Sequence, residues 1–126
     1  MSVRPKVVAV IDDDPSVLTA ISRLLRAHGI VPEAYASGEA YIDASALSKA
    51  TCALIDIHLG GMSGIELSRR LAVSGSKLSV IFMTAIDDKA IENAAIKAGC
   101  IAFLHKPFPG HLLVDAIDKL SGSPNP

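Results

Sequence analysis

Two hydrophobic periods take turns along this chain: short β-branched apolar runs, and stretches spaced for one face of a helix, each cut off by Gly, Pro, Ser or Asp. Val7 to Ile11 is the first run. Val17, Ile21, Leu24 and Leu25 then fall at offsets of zero, four, seven and eight, and Gly29 stops that helix. Ile30 to Tyr35 is a second extended piece. Its Pro32 suits an edge strand, because proline has no N–H to give to a ladder. Ser37 is placed to cap a weaker helix carrying Ala40, Tyr41 and Ala44.

Cys52 to Ile55 and Val80 to Met83 are continuous apolar runs, the form of strands buried on both faces, and are expected at the centre of a sheet. Between them Ile65 to Leu71 reads as a short helix. Asp87 or Asp88 is placed to cap a longer one through Ile91, Ala94, Ala95 and Ala98, stopped by Gly99. Ile101 to Leu104 is the fifth strand. The closing helix puts Leu113, Ala116, Ile117 and Leu120 on one face. Five β-α units in succession imply a doubly wound α/β domain, since parallel strands need right-handed crossovers and the crossovers supply helices to both faces. We read residues 1–126 as one domain with its core at about 5–120, and 121–126, Ser-Gly-Ser-Pro-Asn-Pro, as a flexible tail or the start of a linker.

Half of the 126 residues are hydrophobic, enough for one well-buried core. The formal net charge of −1 recommends neither nucleic acid nor an anionic membrane as a direct partner. No apolar run approaches the ~20 residues that span a bilayer, and no signal peptide is visible, so a cytoplasmic protein is expected. Cys52 and Cys100 lie in apolar runs without paired C-x-x-C spacing and read as buried free thiols.

Ligands of doubly wound folds bind at the carboxyl ends of the strands. Those ends carry Asp12, Asp13 and Asp14 after the first strand, Asp56 after the third, Thr84 after the fourth and Lys106 after the fifth. Two carboxylates ~5 Å apart repel by roughly 3 kcal/mol at an effective dielectric near 20, which a divalent ion relieves. The side-chain ligands are all oxygens, which favours Mg²⁺, or Mn²⁺, over Zn²⁺. Asp14 has a blander role open to it, as the cap of a helix begun by Pro15. Thr84 and Lys106 are each ordinary alone. Beside three carboxylates, however, they add a hydroxyl donor and a fixed positive charge, which suit a phosphoryl group.

The segments V-V-A-V-I-D-D-D-P-S, A-L-I-D-I-H-L-G-G-M-S-G, I-F-M-T-A and F-L-H-K-P-F resemble, in order and spacing, the signature stretches of response-regulator receiver domains. The resemblance implies a flavodoxin-like sheet of strand order 2-1-3-4-5. It implies that Asp56 is the phosphoacceptor, that Asp13 binds Mg²⁺ directly and Asp12 through water, and that the backbone carbonyl of His58 completes the protein's ligands. Thr84, the Ala85 backbone and Lys106 would bind phosphoryl oxygens, and the Lys106-Pro107 peptide would be cis. Thr84 and Phe103 would form the switch, moving a partner-binding face made by the fourth helix, fifth strand and fifth helix.

The implied phosphodonor is a sensor histidine kinase or histidine phosphotransfer protein. The implied output is a partner protein, an output domain or a homodimer. The A-S-G-E-A-Y-I stretch is similar to receivers attached to helix-turn-helix output domains. Two departures bear on kinetics: Ile86 stands two residues beyond Thr84, where a polar residue is common, and His58 stands two beyond Asp56. A third is Leu59-Gly60 in place of a Met-Pro pair, from which a more flexible loop is expected.

Rival readings are few. A haloacid-dehalogenase-type phosphatase shares a D-x-D (Asp12, Asp14), a Thr and a Lys, but Pro107 and Phe108 stand where its acidic pair belongs. A phosphorylation-independent binding module on the same fold would need a site unable to hold metal. Dinucleotide binding lacks a G-x-G-x-x-G after the first strand.

Overall fold

The alternation becomes five β-α units in the computed structural model, which describes residues 6–120. In order these are β1 (Val7–Ile11), α1 (Pro15–Ala27), β2 (Val31–Tyr35), α2 (Gly38–Ala44), β3 (Cys52–Asp56), α3 (Gly64–Val73), β4 (Ser79–Thr84), α4 (Lys89–Lys97), β5 (Ala102–His105) and α5 (Gly110–Leu120). The tail assigned to residues 121–126 lies outside the described residues. All neighbouring strands are parallel, in the order β2-β1-β3-β4-β5. β2, with Pro32, is an edge strand, and β3 and β4 lie inside the sheet.

Period-two alternation divides the core into two layers. Val8, Val10, Cys52, Leu54, Ile81 and Met83 pack against Ile21 and Leu25 of α1 and Leu113 and Ile117 of α5. Ala9, Ile11, Ala53, Ile55, Val80 and Phe82 pack against Tyr41 of α2, Leu67 and Leu71 of α3 and Ala95 of α4. β3 is buried throughout. Fully burying one large side chain such as Phe82 stabilises the fold by roughly 2–3 kcal/mol, so the central strands are held firmly and their ends are fixed in place.

The helix starts are built from short polar side chains. Asp14, Ser37, Ser63 and Asp88 each accept a backbone N–H in the first turn of α1, α2, α3 and α4. Of the two caps open for α4, Asp88 is the one used. Several boundaries shift from the sequence reading. Ile30 lies outside β2, in the turn that closes α1, its N–H bonded to Leu25 O at 2.9 Å beside Gly29, whose φ of +74° reverses the chain. Ile101 precedes β5 with its side chain 47% exposed. Asp56 and Thr84 are the last residues of their strands rather than the residues after them. Cys52 is buried, which pushes its thiol up to about 12, but Cys100 is only half-buried, because it follows the turn that ends α4. Among the described residues, no helix is long and apolar enough to cross a membrane.

Candidate functional site

The carboxyl ends of β1, β3 and β5 converge on a single ammonium group. Lys106 Nζ donates to Asp12 Oδ2 at 2.7 Å and to Asp56 Oδ2 at 3.0 Å. Asp12 is fully buried and Asp56 is 6% exposed. Ionised carboxylates so placed need a partner, and Lys106 supplies it. Burial raises the Asp12 carboxyl, and the bond from Lys106 lowers it only in part. Burial works to lower the Lys106 ammonium, but its hydrogen bonds to Asp12 and Asp56 prevail and raise it, so the side chain stays cationic.

Backbone groups orient each member. Asp12 Oδ1 accepts from the N–H of Asp14 and Asp56 Oδ1 from that of His58, both at 2.9 Å. Thr84 is fully buried; its Oγ1 accepts from the N–H of Ile86 at 3.0 Å and its carbonyl from the N–H of Lys106 at 2.7 Å. A hydroxyl that accepts one bond still has its own proton to donate. Asp56 continues the strand face of Cys52 and Leu54, toward α1 and α5, whereas Thr84 continues the face of Val80 and Phe82, which Phe103 shares. The hydroxyl and the aromatic ring thus lie on the same side of the sheet. The Lys106-Pro107 peptide is cis.

Asp14 stands apart from this cluster. Its carboxylate accepts from both the hydroxyl and the N–H of Ser16, which hold its pKa below the ordinary value. Asp12, Asp13 and Asp56 each offer a carboxylate oxygen, and these oxygens lie within 4.8 Å of one another. A set of three hard anionic oxygens at that spacing fits a small hard divalent cation such as Mg²⁺ or Mn²⁺. His58, Ala85 and Ile86 are exposed beside the cluster. Phe103 is half-buried, its ring 5.1 Å from that of His105 in an edge-to-face contact.

Reading the strand ends alone missed the parts that hold the β3-α3 loop. A Cβ on Gly64 would collide with the Asp56 carbonyl and lie 2.8 Å from Ile55 Cγ2, so only glycine lets α3 begin against the acidic strand end. The loop expected to be loose because of Gly60 has anchors: Leu59 is buried, Gly60 N–H reaches Asp13 Oδ2 at 3.1 Å, and Met62 N–H reaches Glu39 Oε2 at 3.1 Å. Long-range backbone bonds to carboxylates on other elements leave no periodic trace in a sequence.

Comparison with known proteins adds a lineage to this geometry. The family model described as the response regulator receiver domain matches residues 8–118. The chain is 34% identical over 117 residues to the response regulator protein TodT of Pseudomonas putida, covering 93% of this chain and 52% of that protein. It therefore spans about half the length of that curated relative. Among solved structures, a response regulator receiver protein from Burkholderia phymatum is 39% identical with a TM-score of 0.83, covering 98% of this chain and 99% of that one. The FixJ-N crystal structure is 25% identical with a TM-score of 0.88, covering 98% of this chain and 99% of that one.

Proposed function

The chain belongs to the response-regulator receiver domain family of two-component systems, and from that premise we propose that Asp56 accepts a phosphoryl group from a phosphohistidine in a Mg²⁺-dependent reaction. The observation that carries this reading is the meeting of Asp12, Asp13 and Asp56 within reach of one cation, with Lys106 Nζ bonded to the Asp56 carboxylate. The donor is a sensor histidine kinase or histidine phosphotransfer protein, which sets the exchange in the cytoplasm.

An Asp56 carboxylate oxygen forms the new P–O bond as the P–N bond to the donor imidazole breaks. His58 N–H holds the other oxygen, Oδ1, and so fixes the plane of the nucleophile. Lys106 carries a lasting positive charge beside the developing one, and the buried Thr84 hydroxyl and the Ala85 backbone bind phosphoryl oxygens. Asp12, Asp13, Asp56 and the His58 carbonyl would hold Mg²⁺, or Mn²⁺, which when bound supplies charge neutralisation to the transferring group. The chain modifies itself in this way and is not a turnover enzyme.

Thr84 and Phe103 form the switch, and their shared side of the sheet supports that role. The output face is α4-β5-α5. It exposes Ile96, Ile101 and Leu112, apolar residues suited to an output domain, a partner protein or a second copy of the chain. The family match favours this reading over a dehalogenase-type phosphatase, and the acidic set supports it over a phosphorylation-independent module.

Acetyl phosphate with Mg²⁺ tests the reading by intact-protein mass spectrometry. The expected result is one phosphoryl addition that disappears in Asp56→Asn. An equal addition persisting in that variant would overturn the assignment.

A further inference from the structure

The three acidic residues differ in how they are held. Asp12 and Asp56 are buried and bonded to Lys106, whereas Asp13 is exposed and receives no bond from that ammonium among the described contacts. Left to itself, an exposed aspartate samples several rotamers, and a cation that needs one of them must meet the cost of selecting it. Among the described residues a single group is bonded to it: the Gly60 N–H, 3.1 Å from Asp13 Oδ2 and 47 residues away in sequence.

We propose that the Gly60 backbone N–H is a positioning group for Asp13, through which the 59–63 loop presents that carboxylate to the divalent cation. The proposal rests on the metal-dependent reading above and adds a residue to it. Residue type makes the contact possible. The receiver pattern places proline at this position, and proline has no N–H, so Gly60 adds a donor that a Met-Pro loop lacks. One N–H occupies one of about four acceptor positions on a carboxylate, which leaves the remainder for a cation.

A donor positions its acceptor only when it is itself held. Leu59 is buried on one side of Gly60. On the other, Met62 N–H is bonded to Glu39 Oε2 at 3.1 Å and Gly64 N–H to the Ile57 carbonyl at 3.0 Å. Glu39 lies in the first turn of α2, so the loop is gripped by carboxylates from two elements, Asp13 before α1 and Glu39 on α2. The Gly60 amide is thus a fixed point for Asp13.

Two substitutions at residue 60 separate the N–H from the side chain. Gly60 is not among the positive-φ glycines, and a Cβ there would lie 3.7 Å from Asp13 Oδ2, an ordinary contact, so Gly60→Ala keeps the donor at little cost. Gly60→Pro removes it. By calorimetric titration with MgCl₂, without any phosphodonor, Gly60→Ala should bind as the parent does and Gly60→Pro about 3- to 10-fold more weakly, the range for losing one ordinary solvent-exposed hydrogen bond. Glu39→Ala, which releases the loop without proline, should weaken binding about 2- to 3-fold and decides the matter if the proline variant does not fold. Amide exchange in metal-free protein reads the contact directly: the Gly60 N–H should exchange several-fold faster in Asp13→Ala than in the parent.

Equal Mg²⁺ affinity in the proline, alanine and Glu39→Ala variants, or unchanged Gly60 exchange in Asp13→Ala, overturns the positioning role and leaves the phosphoacceptor reading standing. A parent protein that binds no Mg²⁺ overturns both.

Discussion

Replacing Lys106 with methionine removes the one cation between two buried carboxylates and keeps most of the side chain's volume. Each contact, at 2.7 and 3.0 Å, has a gross attraction of ~6 kcal/mol at an effective dielectric near 20. Much of that is offset by taking the charges out of water. What the variant suffers is the remainder, two carboxylates within 4.8 Å of one another with no cation. Breaking a buried pair in this way costs about 3–5 kcal/mol, and the low end applies here because the Lys106 side chain keeps 19% exposure. About 3 kcal/mol lowers the melting temperature by roughly 10 °C in a domain of this size.

The pH dependence of that loss has a definite sign. The Asp12 carboxyl is already raised from 3.8 by burial, and losing the Lys106 bond removes a force that lowers it. A raised carboxyl favours folding fully below its unfolded value and loses that contribution as pH rises through its folded value. In the parent, Lys106 is raised from 10.5, so its contribution is constant through neutrality and lost only in strong alkali. The deficit of Lys106→Met should therefore be largest near pH 8 and narrow toward pH 4. Mg²⁺ should stabilise the variant more than the parent, since it meets an unrelieved repulsion. Thermal unfolding in chelator and in MgCl₂ at both pH values measures all of this. A variant as stable as the parent in chelator at pH 8, or a deficit that widens on acidification, would refute the electrostatic account.

Three further outcomes follow from the same geometry. Gly64→Ala should cost about 1–3 kcal/mol in chemical denaturation, since its Cβ meets the Asp56 carbonyl and Ile55 rather than a flexible side chain, and it should reduce phosphoryl incorporation. Asp14→Ala should lower the melting temperature while leaving Mg²⁺ binding intact, and Asp13→Ala should do the reverse, because Asp14 is spent on Ser16. Ile86→Glu should speed loss of phosphoryl label by offering a group that positions water. Ile86 itself offers no polar group to position water and, exposed beside the cluster, is expected to shield the phosphoryl group. If instead the parent loses label fast and His58→Ala slowly between pH 6 and 8, His58 is the catalyst of switch-off and that shielding is refuted.

The fold was legible because its strands obey a rule that survives tertiary packing. Val80 to Met83 is apolar at every position, and such a run is stable in water-free surroundings on both faces, which only an inner parallel strand provides. Where single residues had two uses, the sequence pattern misled by one position. Ile30 looks like the first residue of β2, yet its N–H is needed by Leu25 to finish α1. Ile101 looks like the start of β5, but its side chain stays 47% exposed while its N–H pairs with Val80 O. Cys100 is apolar in type and lies at a turn that solvent reaches.

The site divides along a similar line. Asp12, Asp56, Thr84 and Lys106 could be named because each follows an apolar run, and a strand end carries its side chain to the rim whatever the rest of the chain does. Gly60, Gly64 and Glu39 could not be, because their roles depend on a backbone N–H or a missing Cβ meeting a residue on another element. The strands determine which charges meet, and the β3-α3 loop determines how closely. Since Gly64 lets α3 begin against the Asp56 carbonyl, and Gly60 ties the same loop to Asp13, the acidic cluster is held from below by the sheet and from the side by two glycines. The geometry around Asp56 is then sensitive to an added methyl at residue 64, where the Cβ would meet the Asp56 carbonyl and Ile55, whereas a methyl at residue 60 makes only an ordinary contact with Asp13.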